Sequence, residues 1–164
     1  MLPRLHLVLL RVYRRLPTRA RVAVTHTVAP GFTVGAICVI ERADGRILLV
    51  RHSYRDRWGF PGGLLKRGEE VGAGACREAM EEVGLAVELT GEPAVVVAPR
   101  PRRVDVIYRA RPAAGADPDT ARASSPEIVE VRWAAPDDLP ELQHEAAGGL
   151  VALARVVDAT TSRH

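Results

Sequence analysis

A chain of 164 residues, 47% hydrophobic and 26% charged, has the length and composition of one globular domain rather than of a disordered segment. No apolar run approaches the roughly 20 residues that span a bilayer, and two cysteines, Cys38 and Cys76, are too few for a disulfide framework. Their apolar surroundings predict buried, reduced thiols and a cytoplasmic setting, while the net charge of +3 hides a basic and an acidic pole.

The basic pole comes first. Residues 1–40 hold six arginines and no carboxylate. Within them, 4–16 (RLHLVLLRVYRRL) reads as a helix that Pro17 stops. Leu5, Val8, Leu9, Val12, Tyr13 and Leu16 fall on one face, and Arg4, Arg11, Arg14 and Arg15 on the other. Charges running through the apolar stretch, with no small-residue cleavage site after it, favour this helix over a signal peptide. Residues 1–30 thus form a basic helix and linker, and 31–160 the main domain. Phe32–Ile40 and Ile47–Val50, joined across the Ala43-Asp44-Gly45 turn, predict a hairpin over 32–51. Phe60-Pro61-Gly62-Gly63 breaks regularity, and a long helix follows from about Glu70 to Val83, closed by Gly84. Strand-like runs occupy 85–90, 94–98 and 103–109. The aperiodic stretch 111–126 reads as a mobile loop. Ile128–Trp133 is another strand, and 141–157 a last helix weakened by Gly148-Gly149. Strands around one central helix, with helices at the ends, predict an α/β (mixed α+β) fold: a mixed sheet with helices packed on its faces.

The acidic pole is residues 69–82, with five glutamates and one arginine. On a helix, Glu78, Glu81 and Glu82 are spaced i, i+3 and i+4 and share a face, with Cys76, Ala79, Met80 and Val83 roughly opposite, toward a core. Three carboxylates in one turn repel one another, and a divalent cation would neutralise them. Oxygen ligands suit Mg²⁺ or Mn²⁺, and no Cys-X-X-Cys or His pair nearby favours zinc. Taken alone, the same spacing also fits a solvated acidic helix face.

The flanking residues decide between these. Gly63, Glu69, Arg77-Glu78, Glu81-Glu82, Gly84 and Leu85 stand at the spacing of the twenty-three-residue Nudix box, and the chain resembles the Nudix hydrolases on every fixed position of it. Ala79 is smaller than the aliphatic residue that the pattern prefers. The resemblance extends loosely over 32–139 and omits residues 1–30. It implies a Nudix-type α/β/α sandwich with a catalytic loop–helix, and hydrolysis of a nucleoside diphosphate derivative by water attack at phosphorus. By carry-over, Glu78, Glu81 and Glu82 are metal ligands with the Gly62 carbonyl, while Arg77 pairs with Glu69 to orient the helix. The general base is a box glutamate or a carboxylate from a later loop. Glu127 is the candidate for the latter, on the reading that it shares a strand face with Val129, Val131 and Trp133. An ordinary strand-end glutamate is the alternative there.

Substrate signals are weaker. Arg55, Arg57 and Trp58 stand before the box and suit stacking or phosphate contact, although Trp58 also fits packing beneath the Pro-Gly-Gly turn. His52 and His144 read as surface histidines and Trp133 as core. Pro101, sixteen residues past Leu85, is similar to the proline that marks ADP-ribose pyrophosphatases. Arg100, Arg102 and Arg103 form a basic patch that could steer anionic substrates. The 4–16 helix leaves three readings: docking on the domain or on a partner subunit of a homodimer, peripheral contact with an anionic membrane, or nucleic-acid binding. Aromatic residues at 4% and the absence of a recognition motif speak against the last. A non-catalytic Nudix-fold module that binds nucleotides is the competing function class.

Overall fold

The computed structural model of the chain describes residues 11, 13–28 and 31–161. Two compact units divide it, Met1–Phe32 and Thr33–His164. Most of the helix expected over 4–16 lies outside the described residues, and with it the docking, homodimer and membrane readings. Residues 11 and 13–15 are helical. A helix not expected from the sequence, α1 (Thr18–Val28), follows where a linker was predicted. Pro17 stands at its start, where its carbonyl accepts from the Ala20 and Arg21 amides and a missing N–H costs nothing. No helix among the described residues is long and apolar enough to cross a membrane.

The second unit holds β1 (Thr33–Ile40), β2 (Ile47–His52), β3 (Gly62–Leu64), α2 (Val71–Val83), β4 (Val87–Ala98), β5 (Arg103–Pro112), β6 (Ile128–Ala134) and α3 (His144–Thr161). A four-stranded mixed sheet runs in the order β3-β1-β5-β4, and β2 and β6 form a separate antiparallel pair. β1 runs parallel to β5, from Thr33↔Arg103 to Ile40↔Ala110, and antiparallel to β3. The expected hairpin is therefore not formed. β1 and β2 are both strands, but they meet at a single bridge, Glu41↔Ile47, and belong to different sheets.

The physical reason is burial. Ile47, Leu48, Leu49 and Val50 are all buried, so β2 is covered on both faces. Leu48 and Val50 pack with Ala36, Cys38 and Ile40 of β1 against Ala75, Ala79 and Val83 of α2. Ile47 and Leu49 face the other way, into a second core with Val39, Phe60, Ile107 and, from α3, Ala146 and Leu153. The two helices thus cover opposite sides of the strands, as the α/β/α expectation requires.

Two further expectations change. The runs at 85–90 and 94–98 are one strand, β4, with a register break between Thr90 and Ala94. The 111–126 stretch is tied down rather than loose: Asp119 accepts from Arg42 at 2.8 Å, and the Arg122 and Ser124 amides donate to the Val83 and Glu82 carbonyls.

Candidate active site

The site is built around the start and exposed face of α2. Glu70 caps the helix, accepting from the Ala73 amide at 2.8 Å, and Gly84 ends it in the left-handed conformation (φ 66°), donating to Met80 O. The buried side is made of Gly72, Gly74, Ala75, Ala79 and Val83, small residues that let the helix sit close on the sheet. Met80, expected on that side, is 47% exposed, because at about 100° per residue it turns off the Gly72, Ala75, Ala79 and Val83 stripe that meets the sheet.

Arg77 is the hub of the acidic cluster. Its Nε and Nη2 donate to the two Glu69 oxygens at 2.6 and 2.9 Å, and its Nη1 donates to Glu78 at 2.7 Å and Glu81 at 3.0 Å. The forked guanidinium matches the Glu69 carboxylate plane, which a lysine could not do. These bonds, together with the Lys66 amide, hold the Glu69 carboxyl down at about 2. A carboxylate whose value is lowered on folding stabilises the fold above its ordinary range and loses that contribution as pH falls. The denaturant resistance of the protein over Glu69→Gln is therefore expected to be full at neutral pH. It should shrink as pH falls from about 4.5 toward about 2.

The three helix carboxylates then diverge. Glu81 is half exposed and turned to Lys66 Nζ at 3.2 Å and to Arg77, which lower its proton affinity. Glu78 and Glu82 turn the other way and are nearly buried. Burial pushes the Glu78 carboxyl up, against the pull of Arg77 and with the help of the Glu82 and Glu81 charges. Glu82 accepts from the Gly62 amide at 3.0 Å, and His52 Nε2 lies 3.5 Å from its other oxygen. Gly62 and Gly63 bring bare backbone against this pair: a Cβ on Gly63 would stand 2.5 Å from a Glu78 oxygen.

Glu78 and Glu82 open on a cavity of about 440 Å³. Its wall includes Gly62, Gly63, Glu127, His52, Tyr54, Arg55, Arg103, Gln143 and Glu145. Of the residues singled out from sequence, Glu78, Glu82, Gly62, Gly63, Glu127 and Arg55 are brought together there. Glu127 reaches it from an exposed position ahead of β6, while Val129, expected to share an inward face with it, is 50% exposed. The register shift between Arg51 and His52 accounts for that change of face. Arg57 pairs with Glu141 at 2.7 Å and Trp58 packs into the second core, and neither lines the cavity.

His52 was expected on the surface and is instead 8% exposed, beside Glu82. The signal was present in the sequence, since Leu48, Val50 and His52 alternate on one strand face. Tyr54, 64% exposed at the mouth, and Gln143, which accepts from Arg55 at 2.7 Å, carried no such pattern. Arg103 belonged to an expected steering patch, but it enters the cavity wall itself.

Among the described residues no three His, Cys, Asp or Glu side chains are gathered as a ready metal cage, with Glu81 turned away to Lys66 and Arg77. The donor set nonetheless fits a hard divalent cation: two nearly buried carboxylates of like charge beside a bare glycine backbone. Neither Cys38 nor Cys76 lines the cavity, so no thiol is offered to a softer metal there.

The family model of the NUDIX domain matches residues 31–154. The chain belongs to the Nudix family. This Nudix hydrolase is 33% identical over 119 residues to a MutT-like protein of Streptomyces ambofaciens, covering 73% of this chain and 74% of that one. Among solved structures, a MutT Nudix hydrolase from Burkholderia pseudomallei is 31% identical with a TM-score of 0.64, over 75% of this chain and 98% of that one. An ADP-ribose pyrophosphatase from Streptococcus suis is 27% identical with a TM-score of 0.61, over 82% and 96%. Nudix hydrolases cleave nucleoside diphosphate-linked substrates.

Proposed function

We propose that this Nudix hydrolase uses Mg²⁺ or Mn²⁺ to cleave the diphosphate linkage of a small nucleoside diphosphate derivative by attack of water on phosphorus. The observation that carries the reading is the convergence of Glu78 and Glu82 on one cavity beside the Gly62-Gly63 backbone. An anionic diphosphate cannot approach two nearly buried carboxylates unless their charge is neutralised. Glu78, Glu82 and the Gly62 carbonyl would hold the cation, with Glu81 joining once it leaves Lys66. When bound, it supplies charge neutralisation and an activated water.

The chain's own residues supply the rest. Arg77 keeps Glu78 and Glu81 in place from behind, and Glu69 fixes Arg77. The Gly62 amide holds Glu82, with His52 Nε2 3.5 Å from its other oxygen. Glu127, on the cavity wall and open to solvent, is the proposed general base. Arg55 faces the substrate, and Tyr54 at the mouth offers an aromatic face to a base.

The test is hydrolysis of a panel of nucleoside triphosphates, ADP-ribose, dinucleoside polyphosphates and sugar nucleotides, with and without chelator. Turnover of at least one class in Mg²⁺ is expected, abolished by EDTA and restored by added Mg²⁺ or Mn²⁺. No turnover anywhere in the panel, with nucleotide binding retained, would make the chain a binding module instead.

A further inference from the structure

We propose that Arg103, clamped by the buried Asp105 above Gly35, binds an additional phosphoryl group that the substrate carries beyond its cleaved diphosphate. This deepens the hydrolase reading and rests on it for the identity of the site.

The clamp is set by strand register. In the parallel β1–β5 pair, Thr33 lies opposite Arg103 and Gly35 opposite Asp105. Residues alternate along strands, so Arg103 and Asp105 share a face with Gly35. Asp105 is 6% exposed and accepts from Arg103 Nε at 2.6 Å. A carboxylate so deeply buried is tolerated because this guanidinium pairs with it. Gly35 makes the space. A Cβ there would collide with the Asp105 carboxylate and lie 2.8 Å from Arg103 Nη2. Its φ is not positive, so backbone conformation gives no reason for glycine at that position, and room for the ion pair does.

The clamp consumes only Nε. Among the described residues the two Nη nitrogens of Arg103 make no hydrogen bond, and the residue lines the cavity that Glu78 and Glu82 share. Arg55 lines the same cavity, held by Gln143 at 2.7 Å and lying 3.6 Å from Glu145. Two guanidiniums, each fixed by a partner of its own, thus stand in a wall whose other charged residues are the glutamates Glu78, Glu82, Glu127 and Glu145. A neutral sugar would leave such donors without the charge that they are placed to receive. A third phosphoryl group supplies it.

The test measures equilibrium binding in Mg²⁺ of the α,β-methylene diphosphates and triphosphates of adenosine and guanosine, whose α–β linkage is not hydrolysed. The protein is expected to bind the triphosphate analogue about tenfold or more tightly than the diphosphate, the scale of one charge-assisted contact. Arg103→Met should erase that preference while leaving diphosphate affinity within about twofold, and Arg103→Lys should keep part of it. Because Arg103→Met strands a buried carboxylate, the double variant Arg103→Met/Asp105→Asn repeats the measurement without it. Asp105→Asn alone should weaken the preference by loosening the clamp. No preference in the unmodified protein, no binding of either analogue, or an equal loss for both analogues in the Arg103 variants would overturn the proposal. Hydrolysis of the substrate panel fails or succeeds independently of this binding comparison, which separates the proposal from the hydrolase reading.

Discussion

Glu82→Gln is expected to lower kcat/KM on the best substrate by about 10²–10³-fold, the cost of removing one preorganised electrostatic group from a site, while leaving the fold intact. The glutamine keeps the size of the side chain and an oxygen that can accept from the Gly62 amide, now at 3.0 Å. What it removes is a charge, next to Glu78, in a place nearly closed to solvent. Because that charge lies beside another carboxylate, its removal relieves repulsion, and the unfolding temperature should hold or rise. The loss belongs to activity and to Mg²⁺ affinity, read as a shift of the Mg²⁺ concentration for half-maximal rate. A variant that turns over as well as the parent would remove Glu82 from the machinery. A variant that loses activity and stability together would make it a packing residue. Gln at Glu81, half exposed and engaged with Lys66, should cost less than Gln at Glu82.

What could be read from the sequence follows how local the determining physics is. α2 and its ends were legible because the cap Glu70, the terminator Gly84 and the i, i+3, i+4 glutamates all act within a few residues. The Arg77–Glu69 pairing was expected from the family pattern, and Arg77 Nε and Nη2 donate to the two Glu69 oxygens. Strand pairing was not local. The unbroken apolar run Ile47–Val50 was read as the second arm of a hairpin, but an unbroken run also marks a strand covered on both faces. Here α2 and α3 supply those two covers. Pairing β1 in parallel with β5, some seventy residues on, is a property of the whole sheet and leaves no mark on the 32–51 segment. The same limit applied to the cavity wall. Arg103 acquires its position from Asp105 and Gly35 together, and only the β1–β5 register brings those three into one place. Tyr54 and Gln143 are joined to the site by the stitching of 57–59 to 141–143, through the Trp58 and Gln143 amides.

Arg77→Met is expected to lower the denaturant midpoint clearly at neutral pH, because it removes the shared cation of a partly buried carboxylate cluster. Arg77 is the cation shared by Glu69, Glu78 and Glu81, and it is only 19% exposed. Methionine replaces much of the stem and none of the donors, so Glu78 loses its counter-charge and Glu69 keeps only Lys66. The pH dependence identifies the cause. In the parent, Glu69 is held down at about 2 and its contribution survives into acid. Without Arg77, Glu69 keeps only the Lys66 amide and charge and loses most of its lowering, so its contribution above the ordinary carboxylate range falls. Burial and the Glu82 and Glu81 charges push Glu78 further up, and a raised carboxyl favours the fold in its protonated form. The gap between parent and variant in denaturant midpoint should therefore narrow as pH falls below neutral. Under the proposed function, millimolar Mg²⁺ should narrow it as well, since a cation bound by the folded state alone stabilises that state and relieves the same repulsion. Arg77→Lys should lie between the two, because it keeps the charge and loses the fork. A gap that ignores both pH and Mg²⁺ would mean that Arg77 acts through the packing of its stem, and the electrostatic account of the cluster would fail.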